Sequence, residues 1–111
     1  MLKVRNMVSA RSGREVSNQF IITEVCDYTG EVLRETFQSY DSMIACVDHE
    51  HDKILIGKNW DYSVTTAKYR NQFFGNQYGI SALSVKGNLQ NALANGVFMQ
   101  PSGRVWEVVK A

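Results

Sequence analysis

Short runs of apolar, β-branched and aromatic residues alternate with polar ones through the first half of the chain, and this pattern predicts strands. The longest run spans residues 15–28, and a second spans residues 31–40. Gly30 lies between them and suits a tight turn. These two runs therefore predict a β-hairpin. Further strands are predicted at residues 3–8, 42–47 and 53–57.

Apolar residues occupy both parities of the longest predicted strand. Phe20 and Ile22 share one parity, and Ile21 and Val25 share the other. Because successive side chains of a strand point to opposite faces, both faces of this part of the sheet are apolar. The pattern is typical of central strands covered on both faces, and also of a sheet that uses one face in assembly.

The spacing changes from strand to helix at residues 60–75, "WDYSVTTAKYRNQFFG". Asp61 is the predicted N-cap of this helix and Gly75 its predicted end. A second helix is predicted within residues 84–96, capped by Ser84 and ended by an Asn-Gly pair.

The first helix carries two apolar stripes. At 100° per residue, one stripe consists of Tyr62, Thr66, Tyr69 and Phe73, and the other of Val64, Ala67 and Phe74. Two interpretations follow from this pattern. Either both stripes pack into the core, or Tyr62, Tyr69 and Phe73 form an exposed aromatic patch that binds a protein partner or a second subunit.

Strands first, then two short helices and a terminal hairpin within residues 97–109, predict an α+β fold. We expect a mainly antiparallel sheet of about five to seven strands with the helices on one face. A hydrophobic fraction of 44% and a charged fraction of 21% agree with a single globular domain over residues 1–111.

Charge is distributed in three blocks along the chain. Residues 1–14 carry four bases and no acid, residues 15–52 carry nine acids against one Arg, and residues 53–111 carry seven bases against two acids. Such blocks create surface potentials that steer partners, provided that the fold keeps them apart. Alternatively, strand pairing interleaves the blocks and their fields cancel.

The densest polar cluster, residues 48–52, holds both histidines. In an extended strand, His49 and His51 would face the same side and could bind a transition metal. The flanking strands, however, need a turn at this place, and turn side chains are exposed to water. We therefore expect no metal and no cofactor. Cys26 and Cys46 lie in apolar runs and are predicted to be reduced thiols. Neither has a local nucleophile signature, so the sequence does not predict an enzyme.

Two further surfaces are candidates for binding. The acidic block, with Glu31 and Glu35, would form a surface resembling a phosphate backbone that occupies a nucleic-acid-binding protein, or else an ordinary solvated face of the sheet. The alternative is that the chain itself binds nucleic acid through a basic surface interleaved with aromatics, against which its pI of about 7.8 argues. The basic residues of that alternative are Lys3, Arg5, Arg11, Arg14, Lys68 and Arg70.

The segments "VRNMVS", "VSNQF", "FQSYDSMIA" and "WDYSVTTAKYRNQFFG" resemble those of a family of small uncharacterised proteins encoded by bacteriophages and prophages. The resemblance covers residues 3–75 and, more loosely, the second helix, while the tail from Val97 onward is longer than in that family. It implies a protein made in an infected bacterial cell and dispensable to the virion. Small phage proteins of this kind commonly bind and block a host component, including defence nucleases.

We therefore expect a non-enzymatic protein of the host cytoplasm that inhibits or redirects a host macromolecule, such as a CRISPR or restriction component. Its expected partner is a host protein, bound through Tyr62, Tyr69, Phe73, Glu31 and Glu35. A homodimer, a nucleic-acid-binding accessory protein and a metal-dependent enzyme at His49 and His51 are the alternatives. No membrane partner is expected, since no apolar run approaches the ~20 residues that span a bilayer.

Overall fold

The computed structural model describes residues 1–78, 85–100 and 102–111. The described residues form seven strands and two helices. In chain order these are β1 (Leu2–Val8), β2 (Glu15–Val25), β3 (Val32–Ser39), β4 (Ser42–Asp48), β5 (Lys53–Ile56), α1 (Val64–Tyr78), α2 (Val85–Asn95), β6 (Val97–Met99) and β7 (Val105–Lys110).

All seven strands belong to one sheet, in the order β1-β2-β3-β4-β5-β7-β6. Every neighbouring pair is antiparallel except β5 and β7, which are parallel. A parallel pair needs a long crossover, and the segment with the two helices supplies it. The predicted α+β fold with a mainly antiparallel sheet is confirmed, including the terminal hairpin of β6 and β7.

The first four strands form consecutive hairpins, as their alternating patterns predict. At the turn between β2 and β3, Gly30 has a φ of 74° and donates its backbone N–H to Cys26 O at 2.9 Å. Glycine suits this left-handed conformation because it has no Cβ. The turn sets the register that places Ile21 opposite Phe37.

The core lies between the two helices and one face of the sheet. Ile21, Phe37 and Ala45 are successive neighbours across β2, β3 and β4 on this face, and all three are buried. Burial of a large apolar side chain contributes about 1.5–3 kcal/mol. The helical side of the core consists of Tyr69, Phe73, Phe74, Val85, Leu89 and Ala92.

Both predicted ends of α1 are wrong. The N-cap is Ser63, whose Oγ accepts the backbone N–H of Thr66 at 3.1 Å. Asp61 lies before the helix and forms ion pairs instead. At the other end the helix continues through Gly75 to Tyr78, because a glycine inside a helix costs only about 1 kcal/mol relative to alanine.

The end of α2 is predicted correctly, whereas its start is only partly described. Gly96 has a φ of 77° and donates its N–H to Ala92 O at 2.7 Å, which closes the helix. The predicted cap Ser84 lies outside the described residues.

The expected aromatic patch on α1 is wrong for two of its three residues. Tyr69 is buried and Phe73 is only 1% exposed. The ring of Phe73 stacks on Phe37 with 6.0 Å between centroids, so this stripe faces the sheet. Tyr62, which precedes the helix, is 79% exposed, and Val64 at the helix start is 89% exposed. The packing interpretation is therefore correct for Tyr69 and Phe73.

We expect Phe73→Ala to lower the free energy of unfolding by about 3–5 kcal/mol. The substitution removes the stack on Phe37 and the edge contact with Phe74, whose centroid lies 5.1 Å away. Val64→Ala, on the same helix but in solvent, should change it by no more than about 0.5 kcal/mol. Urea denaturation followed by circular dichroism measures both. A loss below about 1 kcal/mol for Phe73→Ala would contradict this placement.

Candidate functional site

The two glutamates predicted to bind a partner lie in different environments. Glu31 is exposed beside the turn before β3. Glu35 is half-buried, with its Oε1 3.3 Å from Nε2 of His49, and the His49 ring meets the edge of Trp106 at 5.4 Å. Glu35 is thus engaged inside the molecule, and the structure does not join it with Glu31 into one acidic docking surface.

The only Arg of the acidic block neutralises much of it. Arg34 lies 2.6 Å from Glu24, 3.1 Å from Glu50 and 3.6 Å from Asp48. The bond to Glu24 raises the pKa of Arg34. Interleaving by strand pairing is therefore the correct interpretation for this part of the charge pattern.

Five charged residues form a continuous row across the sheet, which we name the charged row. Each is the register partner of the next, on strands β2, β3, β4, β5 and β7. In order they are Glu24, Arg34, Asp48, Lys53 and Glu107. Opposite charges that face each other on adjacent strands stabilise a sheet by about 0.2–1 kcal/mol per pair.

Asp48 is the best-buried acid of this row. Burial opposes its ionisation, but hydrogen bonds from the side chain and backbone of His51, together with the charge of Arg34, outweigh burial. They hold the pKa of Asp48 below its ordinary value. Asp48 is therefore ionised at neutral pH and stabilises the fold in that form.

The structure does not bring His49 and His51 into one group of metal ligands. Asp48, Glu50 and His51 have potential ligand atoms within 4.8 Å of one another, but His49 contacts Glu35 and Trp106 instead. The guanidinium of Arg34 already forms ion pairs with Asp48 and Glu50. A cation would have to compete with this guanidinium, so the arrangement suits an ion pair and not a metal.

Arg70 is not available for nucleic acid, because it is 2% exposed. Its guanidinium donates to Asp61 Oδ1 and Trp60 O, both at 3.1 Å, and to Asn71 Oδ1 at 2.9 Å. It also lies 5.2 Å from the centre of the Trp60 ring. Arg70 therefore anchors the segment before α1 to the helix, and its predicted role in nucleic-acid binding is wrong.

The other five predicted basic residues are exposed. Gln72 donates its Nε2–H to Val8 O at 2.6 Å and so fastens α1 to the end of β1. Lys68 lies one turn before Gln72 on the same side of the helix, toward β1. We name this set the basic edge: Lys3, Arg5, Arg11, Arg14 and Lys68.

The exposed ring of Tyr62 borders a cleft of about 360 Å³, which we name the Tyr62 cleft. One wall comes from the end of β3 and the turn into β4, and the other from the segment between β5 and the first turn of α1. Its lining residues are Ser39, Tyr40, Asp41, Ser42, Ile44, Asn59, Tyr62, Ser63 and Thr66.

Hydrogen bonds between side chains hold the two walls of the cleft together. Ser39 Oγ lies 3.4 Å from Thr66 Oγ1, and Ser63 donates its hydroxyl to the same oxygen at 3.1 Å. Asn59 donates its Nδ2–H to Ser42 Oγ at 3.3 Å. The floor is thus polar and preorganised.

Tyr40 and Asp41 form the two-residue turn at the rim. Tyr40 adopts a φ of 54°, in which its backbone N–H donates to Asn18 O and its carbonyl accepts from Gln38 Nε2, both at 2.7 Å. A bulky residue in this conformation is uncommon, and such strain is found at binding sites. Among the described residues, Asp41 contributes the one charged side chain of the lining.

Sequence reasoning missed Tyr40 and Asp41. The second predicted strand ran through Tyr40, which left only Asp41 before the strand predicted at residues 42–47, whereas β3 ends at Ser39 and the turn takes both residues. Two adjacent strands need a turn of at least two residues, and Tyr is an unusual choice there compared with Gly or Asn. That departure was the available signal. Their approach to Tyr62 depends on how α1 packs on the sheet, which no local pattern encodes.

A family model described as "Family of unknown function (DUF8033)" matches residues 2–87. The chain belongs to DUF8033. The match includes β1 to β5, α1 and all the residues of the Tyr62 cleft, while β6 and β7 lie beyond it. No match was found among curated proteins or among solved structures. Neither described helix combines the length and the apolar character needed to cross a membrane.

The lowered pKa of Asp48 predicts a loss of stability in acid. A carboxyl whose pKa is lower in the folded state stabilises the fold above its unfolded pKa, about 3.9, and that contribution disappears as the pH falls through the folded value. We expect Asp48→Asn to lower the free energy of unfolding by about 1–3 kcal/mol at pH 7, and the difference from wild type to shrink below about pH 4.

Urea denaturation at several pH values measures this difference. His51→Ala removes the side-chain hydrogen bond to Asp48 that lowers its pKa, while the backbone hydrogen bond from residue 51 remains, so it should reproduce part of the effect. A difference between Asp48→Asn and wild type that is constant from pH 7 to acid would contradict the prediction.

Proposed function

We propose that the chain is a small non-catalytic binding protein of phage origin, which inhibits or redirects a host macromolecule in the bacterial cytoplasm. A component of a CRISPR or restriction defence system is the kind of target we infer. The observation that carries this proposal is the Tyr62 cleft, in which two exposed tyrosines border a cavity of mixed polar and apolar lining that includes the carboxylate of Asp41. Tyrosine is enriched in protein interfaces and among their energetic anchors.

The chemistry of the cleft fits a basic side chain from a protein partner. The rings of Tyr40 and Tyr62 offer cation–π contact, and the carboxylate of Asp41 offers a charge-assisted hydrogen bond. A volume of about 360 Å³ lies near the small end of ligand pockets and suits one long side chain. Lys or Arg provides both the alkyl stem and the cationic head that such a cavity selects.

A nucleic-acid-binding host protein matches this requirement. Such proteins expose Lys and Arg for contact with phosphates, and a cleft that engages one of these side chains competes with the nucleic acid. This mode of action needs no enzymatic step. It also differs from the expected acidic mimic, because the acids around Arg34 are already paired.

The basic edge favours a second candidate, a nucleic-acid-binding accessory protein. Its five residues are exposed, and none of them forms an ion pair with another described residue. Unpaired bases near one another attract a phosphate backbone. The loss of Arg70 from the predicted set weakens this candidate relative to the first.

Affinity capture from bacterial lysate tests the proposed function, with nuclease-treated and untreated samples compared by mass spectrometry. We expect one host protein in stoichiometric amount that survives nuclease treatment. The double variant Tyr40→Ala/Tyr62→Ala and the single variant Asp41→Asn should each reduce its recovery at least tenfold, because each removes part of the site for the basic side chain. Tyr28→Ala is the matched control, since Tyr28 is 98% exposed on the turn between β2 and β3.

Equal recovery with the double variant and with Tyr28→Ala would overturn the role of the cleft. Recovery of proteins only without nuclease would transfer the proposal to the second candidate.

Fluorescence polarisation with a labelled single-stranded DNA then separates the two candidates. Under the first proposal we expect no saturable binding at about 150 mM salt, a condition that screens weak phosphate contacts. Binding that weakens steeply with salt and is lost in Arg11→Ala/Arg14→Ala would establish the second candidate instead. Arg104→Ala is the control, because Arg104 already pairs with Asp52 at 2.6 Å.

A further inference from the structure

The sheet has a second face that no described helix covers, which we name the open face. Core residues such as Ile21 and Phe37 point to the helices, so the residues that alternate with them point the other way. The apolar residues of this face agree with the two-sided pattern of the strands. One of the two interpretations of that pattern was a face used in assembly.

An apolar row crosses the open face on six strands. Its members are successive register partners from β1 to β7 and lie two residues from the charged row along each strand. They are Val4, Ile22, Thr36, Cys46, Leu55 and Val109. Val4 is 63% exposed at the edge of the sheet, Ile22, Thr36, Leu55 and Val109 are half-buried, and Cys46 is buried among its neighbours. A continuous apolar row of this length is unusual on a sheet face that meets only water.

More apolar side chains extend this surface beyond the row. Leu2 on β1 is the register partner of Glu24, and Val97 on β6 is the register partner of Glu107, so an apolar residue flanks each end of the charged row. Val105 and Met99 form another cross-strand pair of the terminal hairpin. All four are exposed. The open face is thus largely apolar apart from the charged row. Acids and bases alternate along that row, so their charges largely cancel.

The size of the open face suits a standard protein interface. As full widths, seven strands spaced about 4.8 Å apart cover about 34 Å, and three rows of side chains about 6.7 Å apart cover about 20 Å. The flat area is therefore about 680 Å² before side-chain relief increases it, close to the ~800 Å² per partner that stable complexes bury. The face is large enough to hold a dimer together by itself.

Charge and symmetry favour a second copy of the chain as the occupant. A symmetric dimer places a patch against itself, so a patch with a large net charge would repel its copy. The charged row carries three acids and two bases in alternation and is nearly neutral. Cys46 lies on β4, the middle strand of the sheet, and Thr36 lies on the neighbouring strand β3. Both side chains are small, so they allow two sheets to approach to about 10 Å.

From these observations we propose that the chain forms a symmetric homodimer in which the open faces of two copies pack against each other. The apolar rows form the centre of the interface, and the charged rows remain internally paired. This proposal does not depend on the proposed function. The Tyr62 cleft includes Ser39 and Thr66 on the helix side of the sheet, so the dimer leaves both clefts accessible.

Sedimentation velocity of the full chain between about 1 and 200 µM tests the dimer. We expect wild type to sediment with twice the chain mass of 12.6 kDa. Val4→Lys and Thr36→Lys should each weaken dimerisation at least tenfold, because each brings two like charges into an apolar interface without partners. Val64→Lys introduces the same charge at an exposed valine on α1 and should leave the dimer intact.

Circular dichroism establishes that each variant is folded, and Val4 is exposed enough for lysine to be accommodated in a single chain. Wild type that sediments at 12.6 kDa at every concentration would overturn the proposal. So would folded Val4→Lys and Thr36→Lys variants that dimerise as tightly as wild type. A monomeric wild type whose capture of a host protein is lost in Val4→Lys would assign the face to that protein instead.

Discussion

The contact between Phe37 on β3 and Phe73 on α1 anchors the first helix on one face of the sheet. It joins the middle of the helix to the central strands, with 6.0 Å between ring centroids. Since the first helix can cover only one side of the sheet, this contact also determines which face stays uncovered. It further fixes the start of α1 beside the turn between β3 and β4, where Ser63 and Thr66 meet Ser39. The Tyr62 cleft and the open face both result from the packing of α1 on one face of the sheet.

The register of the sheet also determines how the charged residues are distributed, because it brings together residues that are far apart in the sequence. Along the sequence the acidic block looks like one negative surface, but three strand pairings bring Arg34 beside Glu24 and Asp48 and bring Lys53 beside Asp48. The charges outside this paired group are dispersed: the carboxylate of Asp41 lies in the cleft, Glu15 and Glu31 lie at strand ends, and the basic edge lies along β1 and α1. Local charges of this kind select partners by shape and geometry more than by long-range field.

Local patterns predicted the strands, both helices and the hairpins, because alternation and helical spacing are properties of neighbouring residues. The ends of α1 were wrong because Asp61 and Ser63 are both good caps, and the choice depends on Arg70, which engages Asp61 from nine residues away. The periodicity of α1 assigned Phe73 and Phe74 to different stripes, whereas both lie in the core and the exposed residues are Tyr62 and Val64 near the start of the helix. The insertion of β7 between β5 and β6, and the approach of residues 39–42 to residues 59–66, arise from long-range packing.

The proposed roles of the cleft and the open face make different demands on a partner, and the two proposals are compatible with each other. A cleft for one basic side chain provides specificity at a single point, and by itself it supports only modest affinity. A dimer built on the open face carries two such clefts on one rigid body, and simultaneous engagement of both raises avidity by about 10²–10⁴ without any new contact. The DUF8033 match contains the whole cleft and every residue of the apolar row except Val109. The cleft and the apolar row therefore lie largely in the part of the chain that the family model covers. Of the row, only Val109, on β7, lies beyond it.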